Sequence, residues 1–279
     1  MDEEPRIPRV LSIAGSDSGG GAGIQADLKA FARCGVHGMT AITAITAQNT
    51  VAVTAVYPLP PEVILEQVRA VAGDIGVDAV KIGMLGTTET IEAVGRALDL
   101  IPDAPVVLDP VMVAESGARL LDEDAQEALR TLLVPRAAVV TPNVPEARVL
   151  AGAAVAGAGE APAAAESEAD ADTEQLARAV HSLGPTAVVV TGGHREQAID
   201  VFFDGERLVE IAGERYVEGA AHGSGCTHSS ALAAHLALGF EPLDAAKAAK
   251  RIASDAVRDG LRSVGEGPGP VDVFGLERP

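Results

Sequence analysis

The chain has 279 residues, enough for one large α/β domain or two smaller ones, and is 47% apolar with only 3% aromatic residues and no Trp. Ala, Val, Leu and Gly must therefore build the interior, as expected for helices layered on a buried sheet. A net charge of −19 repels nucleic acid and anionic lipid, which makes both poor partners.

The N-terminus, MDEEPRIPRV, is acidic and carries no cationic segment followed by an apolar one, so no signal peptide is expected. No run of about 18 uncharged apolar residues is present to span a membrane. The two cysteines, Cys34 and Cys226, have neither metal-ligand nor redox spacing. Two lone thiols point to a reducing, cytoplasmic setting.

Taken in chain order, VLSIAGSD (10–17) is a strand running into a loop, and GIQADLKAFARCG is a helix stopped at Gly35. AITAITAQNT (41–50) and VAVTAVYPL (51–59) are strand-like. PPEVILEQVRAVAGD is a helix with proline at its start. DAVKIGML, PVVLDPVM, AAVVTPN and TAVVVTGGH are four further apolar strands, each ending in Gly, Pro, Asp or Asn. Their continuous apolarity marks strands buried on both faces, so the sheet is mainly parallel. IDVFFDGERLVEIAG has Asp-Gly between two short apolar runs and predicts an antiparallel edge hairpin. The segment GAAVAGAGEAPAAAESEADADTE (152–174) is small, acidic and poor in residues that pack, which predicts a flexible loop at about 153–172. The same βα alternation continues on both sides of it, so residues 1–279 are expected to form a single domain.

In open α/β sheets ligands bind at the carboxyl ends of the strands, so the residues after each strand carry the functional information. Gly21, Gly23 and Ala26 fit the dinucleotide pattern G-x-G-x-x-A, but no acid lies between Asp27 and Glu62 to bind ribose hydroxyls. No P-loop, H-E-x-x-H helix or post-strand G-x-S-x-G is present. In AHGSGCTHSS the backbone N–H groups of Gly223, Ser224, Gly225 and Cys226 can converge as a nest. The helix that follows adds its positive end, and the two together make an anion hole suited to phosphate. Asp109 in DPVM, with Asn143 and Glu146 in TPNVPEA, offers oxygen ligands suited to Mg²⁺ carried with a nucleotide. Each of these alone is a turn or helix cap. With the anion hole they describe phosphoryl transfer without a P-loop.

IAGSDSGGGAGIQADLK, TAITAQNT, VKIGMLG, LDPVM, TPNVPEA, GGH and AHGSGCTHSSALAA follow one another, from about Val10 to Val273, as in the hydroxymethylpyrimidine/phosphomethylpyrimidine kinases of thiamine biosynthesis. The chain resembles this family, a branch of the ribokinase-like superfamily. The resemblance implies a three-layer α/β/α fold with a mainly parallel sheet, and a homodimer. It implies ATP- and Mg²⁺-dependent phosphorylation of 4-amino-5-hydroxymethyl-2-methylpyrimidine and then of its monophosphate. Carried over by motif, the pyrimidine pocket takes in Gly15, Ala22, Asp27, Gln48, Met84 and Val111. Asn143 and Glu146 match the family's Asn-x-x-Glu phosphate and magnesium motif, and Gly223 to Cys226 its anion hole.

Many ribokinase-like kinases end this turn in Gly-Asp, where the acid takes the substrate proton; here it ends in Gly-Cys. A thiol at a helix N-terminus is expected to have a lowered pKa, so Cys226 is either a base or a small residue lining the hole. The chain departs from the resemblance at Thr191, where relatives commonly carry a Lys before Gly-Gly, which bears on the nucleotide contacts; Lys81 is a candidate cation near the strand ends. Two competing readings are a pyridoxal or pyridoxine kinase of the same superfamily and a non-catalytic pyrimidine-binding regulator. The charge and the lack of a DNA-binding segment oppose the latter.

Overall fold

The computed structural model describes residues 6–114, 116–152, 166–192, 198–216 and 219–276. Nine strands form one sheet in the order β3-β2-β1-β4-β5-β6-β7-β8-β9. They are β1 (Arg9–Asp17), β2 (His37–Gln48), β3 (Val53–Pro58), β4 (Ala79–Ile82), β5 (Val106–Leu108), β6 (Val139–Val140), β7 (Ala187–Val190), β8 (Asp200–Phe203) and β9 (Leu208–Ile211). The six strands from β2 to β7 run parallel. The predicted hairpin of β8 and β9 closes one edge antiparallel. The other edge carries a second antiparallel strand, since β3 folds back on β2. Its turn is made by Asn49, whose side chain accepts from the backbone N–H of Val51 and Ala52 while its own N–H bonds to the Ala52 carbonyl. That local exchange is what an Asx turn offers.

The parallel strands are buried on both faces, and successive residues divide between two cores as the period of two requires. Leu11, Val80, Leu108, Val140 and Val188 pack on one side. They meet α2 (Pro61–Asp74), α3 (Thr88–Leu98), α5 (Val144–Ala151) and α6 (Glu166–His181), with the short α4 (Ala125–Ala128) and its π-helical continuation Leu129–Leu133. Val10, Ala79, Val107, Val139 and Val189 face the other way. There they meet α1 (Gly23–Arg33), α7 (Ser224–Ala237) and α8 (Pro242–Arg258). Alanine dominates the second layer, at Ala231, Ala233, Ala234, Ala245, Ala246 and Ala249. Small side chains let α7 lie close to both α8 and the sheet, which fixes the position of its N-terminus.

The predicted acidic loop needs correction at its C-terminal end. Helix α6 starts at Glu166 and takes in residues 166–172, because Glu- and Ala-rich sequence favours helix and Leu176, Ala177 and Val180 further along bury against the core. The remainder, 153–165, lies outside the described residues, as do Gly193 and His194 of the GGH motif. Among the described residues no helix is long and apolar enough to cross a membrane.

Candidate active site

A cavity of about 490 Å³ opens at the carboxyl ends of the parallel strands, lined by the loops after β1, β4, β5, β6 and β7 and by the start of α7. The sequence-nominated residues gather there. Gly15, Ala22, Gln48, Met84 and Val111 line it, with Asp109, Asn143, Glu146 and Thr191, and with Gly223, Ser224, Gly225 and Cys226. Asp27 does not. It is fully buried one layer beneath, accepting from Ser12 (2.6 Å), Ser230 (2.7 Å) and Lys81 (2.9 Å). A carboxylate inside α1 reaches the interior rather than the cavity, and three donors satisfy it there.

Two glycine loops meet in this site, and their contact fixes the Gly223–Cys226 turn. Gly223 has φ of +86°, and a Cβ at this position would stand 1.8 Å from the Gly21 carbonyl oxygen. Only glycine allows both the left-handed backbone and the close approach. Asp17, at the end of β1, holds the first loop by accepting from Gly19 (2.7 Å), Gly21 (3.0 Å) and Ala22 (2.8 Å). It is also paired with His222 at 3.2 Å, immediately before Gly223. Burial pushes the Asp17 carboxyl up, but the bonds from His222, Ala22 and Gly19 prevail and hold it below its ordinary value. The Asp17–His222 pair was not found from sequence. Its only trace is an acid at the strand end and a histidine before the glycine turn, residues 205 positions apart.

At the hole itself, Ser224 donates its N–H to the Ala221 carbonyl, so this group closes a turn instead of pointing at an anion. The N–H groups of Gly225 and Cys226 find no backbone acceptor among the described residues, as the first turn of a helix dictates. These two remain for an oxyanion. Gln48 ends β2 beside the first loop. Ser18 fixes its backbone by donating to its carbonyl (2.6 Å) and accepting from its N–H (2.9 Å). Its side-chain oxygen accepts from Thr46 (3.1 Å) and keeps a second lone pair, with the amide hydrogens still to place.

Asn143 and Glu146 form a capping box at the start of α5. The Asn143 side chain accepts from the Glu146 N–H (2.9 Å), and Glu146 accepts from the Asn143 N–H (3.0 Å). The capping reading of the motif holds, and both residues also line the cavity. Burial first, and the Asp109 carboxylate second, push Glu146 up to about 8. Burial likewise raises Asp109, against the pull of Lys81 and a 2.9 Å bond from Ser229. Thr191 sits beside Asn143 in an isolated parallel bridge.

A family model described as phosphomethylpyrimidine kinase matches residues 17–272. The chain belongs to the phosphomethylpyrimidine kinase family. It is 47% identical to the hydroxymethylpyrimidine/phosphomethylpyrimidine kinase of Rhizobium meliloti, covering 95% of this chain and 96% of that protein. Among solved structures it is similar to a phosphomethylpyrimidine kinase from Clostridium difficile, with TM-score 0.74 and 38% identity over 90% of this chain and 99% of the other. It is also similar to the pyridoxal kinase of Staphylococcus aureus in complex with AMP-PCP and pyridoxal, with TM-score 0.83 and 33% identity over 98% and 96% of the two chains. The three-layer architecture is thus the ribokinase-like fold that the motifs implied.

Within this family frame one electrostatic expectation reverses. Cys226 stands at the N-terminus of α7, yet burial pushes its thiol up to about 12. Lys81 and the Gly23 N–H pull it down, while Asp27 and Asp109 push it further up. A helix end carries only about half a charge, which is too little to offset desolvation of a thiolate. A second polar cluster, unforeseen from sequence, joins Lys250 on α8 to Asp200 at 2.7 Å. His228 lies 3.6 Å from Asp200, and burial lowers its pKa. Asp200 also accepts from the Gly192 N–H (3.0 Å), next to Thr191. Lys250 therefore places a cation in the cavity wall close to where Thr191 stands.

Proposed function

We propose that this protein is an ATP-dependent kinase that phosphorylates 4-amino-5-hydroxymethyl-2-methylpyrimidine and then its monophosphate to the pyrophosphate, in thiamine biosynthesis. The observation that carries this reading is the convergence of the Gly223–Cys226 turn, Gln48 and the Asn143/Glu146 pair on one cavity. The substrate hydroxyl oxygen attacks the γ-phosphorus, ADP leaves, and the hydroxyl proton passes to a base in the site. Gln48 reads the aminopyrimidine edge, with its amide hydrogens donated to the ring nitrogen and its oxygen accepting from the amino group. Gly15, Ala22, Met84 and Val111 shape the space around the ring. The N–H groups of Gly225 and Cys226 take up charge on the transferring phosphoryl group. Cys226 assists removal of the proton, and positioning and charge stabilisation supply the larger share of catalysis. Asn143, Thr191 and Asp109 belong to the nucleotide side.

Burial raises the proton affinity of both Asp109 and Glu146, and the Asp109 carboxylate raises that of Glu146 further, a donor set that a divalent cation would relieve. Two carboxylates fit Mg²⁺, which keeps waters and phosphate oxygens as its other ligands. When bound it neutralises charge on the phosphates. Glu146 is its principal protein partner, through water or directly, with help from Asn143.

The kinase is a single domain and a cytoplasmic homodimer in this reading. Both thiols are free, and the β2–β3 edge exposes Ile45 (49%) and Tyr57 (65%), apolar surface that a second copy would cover. Similarity to pyridoxal kinases supports pyridoxal as the alternative acceptor. ADP release measured with the pyrimidine alcohol, its monophosphate and pyridoxal decides between them. Turnover on both pyrimidines above that on pyridoxal supports the proposal, faster turnover on pyridoxal overturns it, and none on any acceptor indicates a binding protein without catalysis.

A further inference from the structure

Asp27 and Lys81 form an ion pair in which neither side chain has any exposure. A buried ion pair is weak evidence of stabilisation, because desolvation offsets much of the attraction. Its position is more informative. Asp27 and Gly23 are one turn apart on α1, and Ser230 and Cys226 are one turn apart on α7, so each pair shares a helix face. Ser230 donates to the same carboxylate oxygen that takes Lys81, and Lys81 and Cys226 both line the cavity. The ion pair is therefore tied to α7 one turn from the thiol, on the same helix face. A Cβ on Gly83 would stand 2.7 Å from the Lys81 nitrogen, so the absence of a side chain there lets the ammonium reach the cavity wall, where Lys81 is a lining residue.

We propose that Lys81, moored by Asp27, is a positioning residue whose positive charge near Cys226 gives that thiol its reactivity. The charged groups that face Cys226 are Lys81 from β4, Asp27 from α1 and Asp109 from the loop after β5, and of these only Lys81 favours the thiolate. Lys81 itself stays protonated despite its burial, because Asp27, Cys226 and Asp109 surround it with acidic groups. The inference deepens the kinase reading by assigning what makes Cys226 usable as a proton acceptor.

The test is alkylation of Cys226 by iodoacetamide in the full protein without nucleotide or pyrimidine, followed by mass spectrometry of its peptide. Cys34, at the far end of α1, serves as internal reference. Lys81→Met should slow alkylation of Cys226 at least tenfold at fixed pH and leave Cys34 unchanged. An unchanged rate in folded Lys81→Met overturns the proposal and leaves the pair as a strut of the core. Should Lys81→Met fail to fold, the double variant Asp27→Asn/Lys81→Met removes both charges together. Its rate should then lie at least threefold below wild type, and equality with wild type overturns the proposal. Since the readout needs no turnover, its failure leaves the kinase reading standing, and failure of the kinase assay leaves this result intact.

Discussion

Gly223→Ala should unfold the site before it blocks it. The residue sits at φ +86°, and the new methyl would lie 1.8 Å from the Gly21 carbonyl oxygen, where real Cβ contacts stay beyond 3.0 Å. A left-handed alanine costs about 1–2 kcal/mol. Relieving the overlap means moving one glycine loop by more than 1 Å, and neither loop is free to move. The Gly21 and Ala22 N–H groups are bonded to Asp17, which is paired with His222 beside Gly223 itself. Loss of even one hydrogen bond to that carboxylate adds about 1.5–3 kcal/mol. The total is at least about 2.5 kcal/mol, or at least about 4 °C in melting temperature for a domain of this size. Gly225→Ala, two residues on, is the control. No atom lies within 4 Å of its Cβ position and its φ is not positive, so melting temperature should hold or rise. Its methyl enters the open space beside the Cys226 N–H, and turnover should fall at least tenfold. Thermal melts and ADP-release assays on both variants check this. A Gly223→Ala protein that melts with wild type, or a Gly225→Ala protein equally destabilised, would refute the interlocked-loop argument.

Gln48→Ala should raise the Michaelis constant for the pyrimidine far more than that for ATP in initial-rate kinetics; equal effects would remove Gln48 from ring recognition. Glu146→Gln should slow turnover at least tenfold, about 1.4 kcal/mol of barrier, and shift the Mg²⁺ requirement upward in a titration. The same variant tests the buried carboxyl: between the ordinary value of 4.5 and about 8 the folded state holds a proton that the unfolded state has lost, so wild-type stability falls as pH rises through that window. Glu146→Gln keeps the capping box and should melt above wild type at pH 9, by at most about 5 kcal/mol, but not at pH 5. Cys226→Ser should be tens- to hundreds-fold slower, about 2–3 kcal/mol, with ATP binding little changed, and Cys226→Asp should retain more activity. With the thiol near 12, a thiolate base makes wild-type kcat/KM for the pyrimidine climb across neutral pH, and that rise should vanish in Cys226→Asp; a profile unchanged in both variants leaves Cys226 as a small residue under a phosphate.

Much of the architecture was written locally. Uninterrupted valine runs require strands buried on both sides, Asp204-Gly205 turns one hairpin, and glycines beside strand ends mark where the chain must approach a ligand. These signals depend on neighbours within a few residues, so periodicity and turn chemistry suffice to find them. Nearly every residue the motifs marked lines the cavity, because in an open parallel sheet the strand ends converge wherever the helices lie. What the sequence by itself did not determine is which groups end up facing one another across the layers. Asp27 stands in a motif full of ligand-binding residues but turns inward to Lys81, 54 positions away. Asp17 and His222 are joined only by the packing of two loops. The acidic segment turned out partly helical because α6 has a core to bury against. Cys226 shows the limit most sharply. Its helix position argues for an easily lost proton, whereas burial beside Asp27 and Asp109 outweighs Lys81 and decides the opposite. Desolvation and long-range Coulomb fields depend on which side chains surround a group in space, and only the folded chain supplies that neighbourhood.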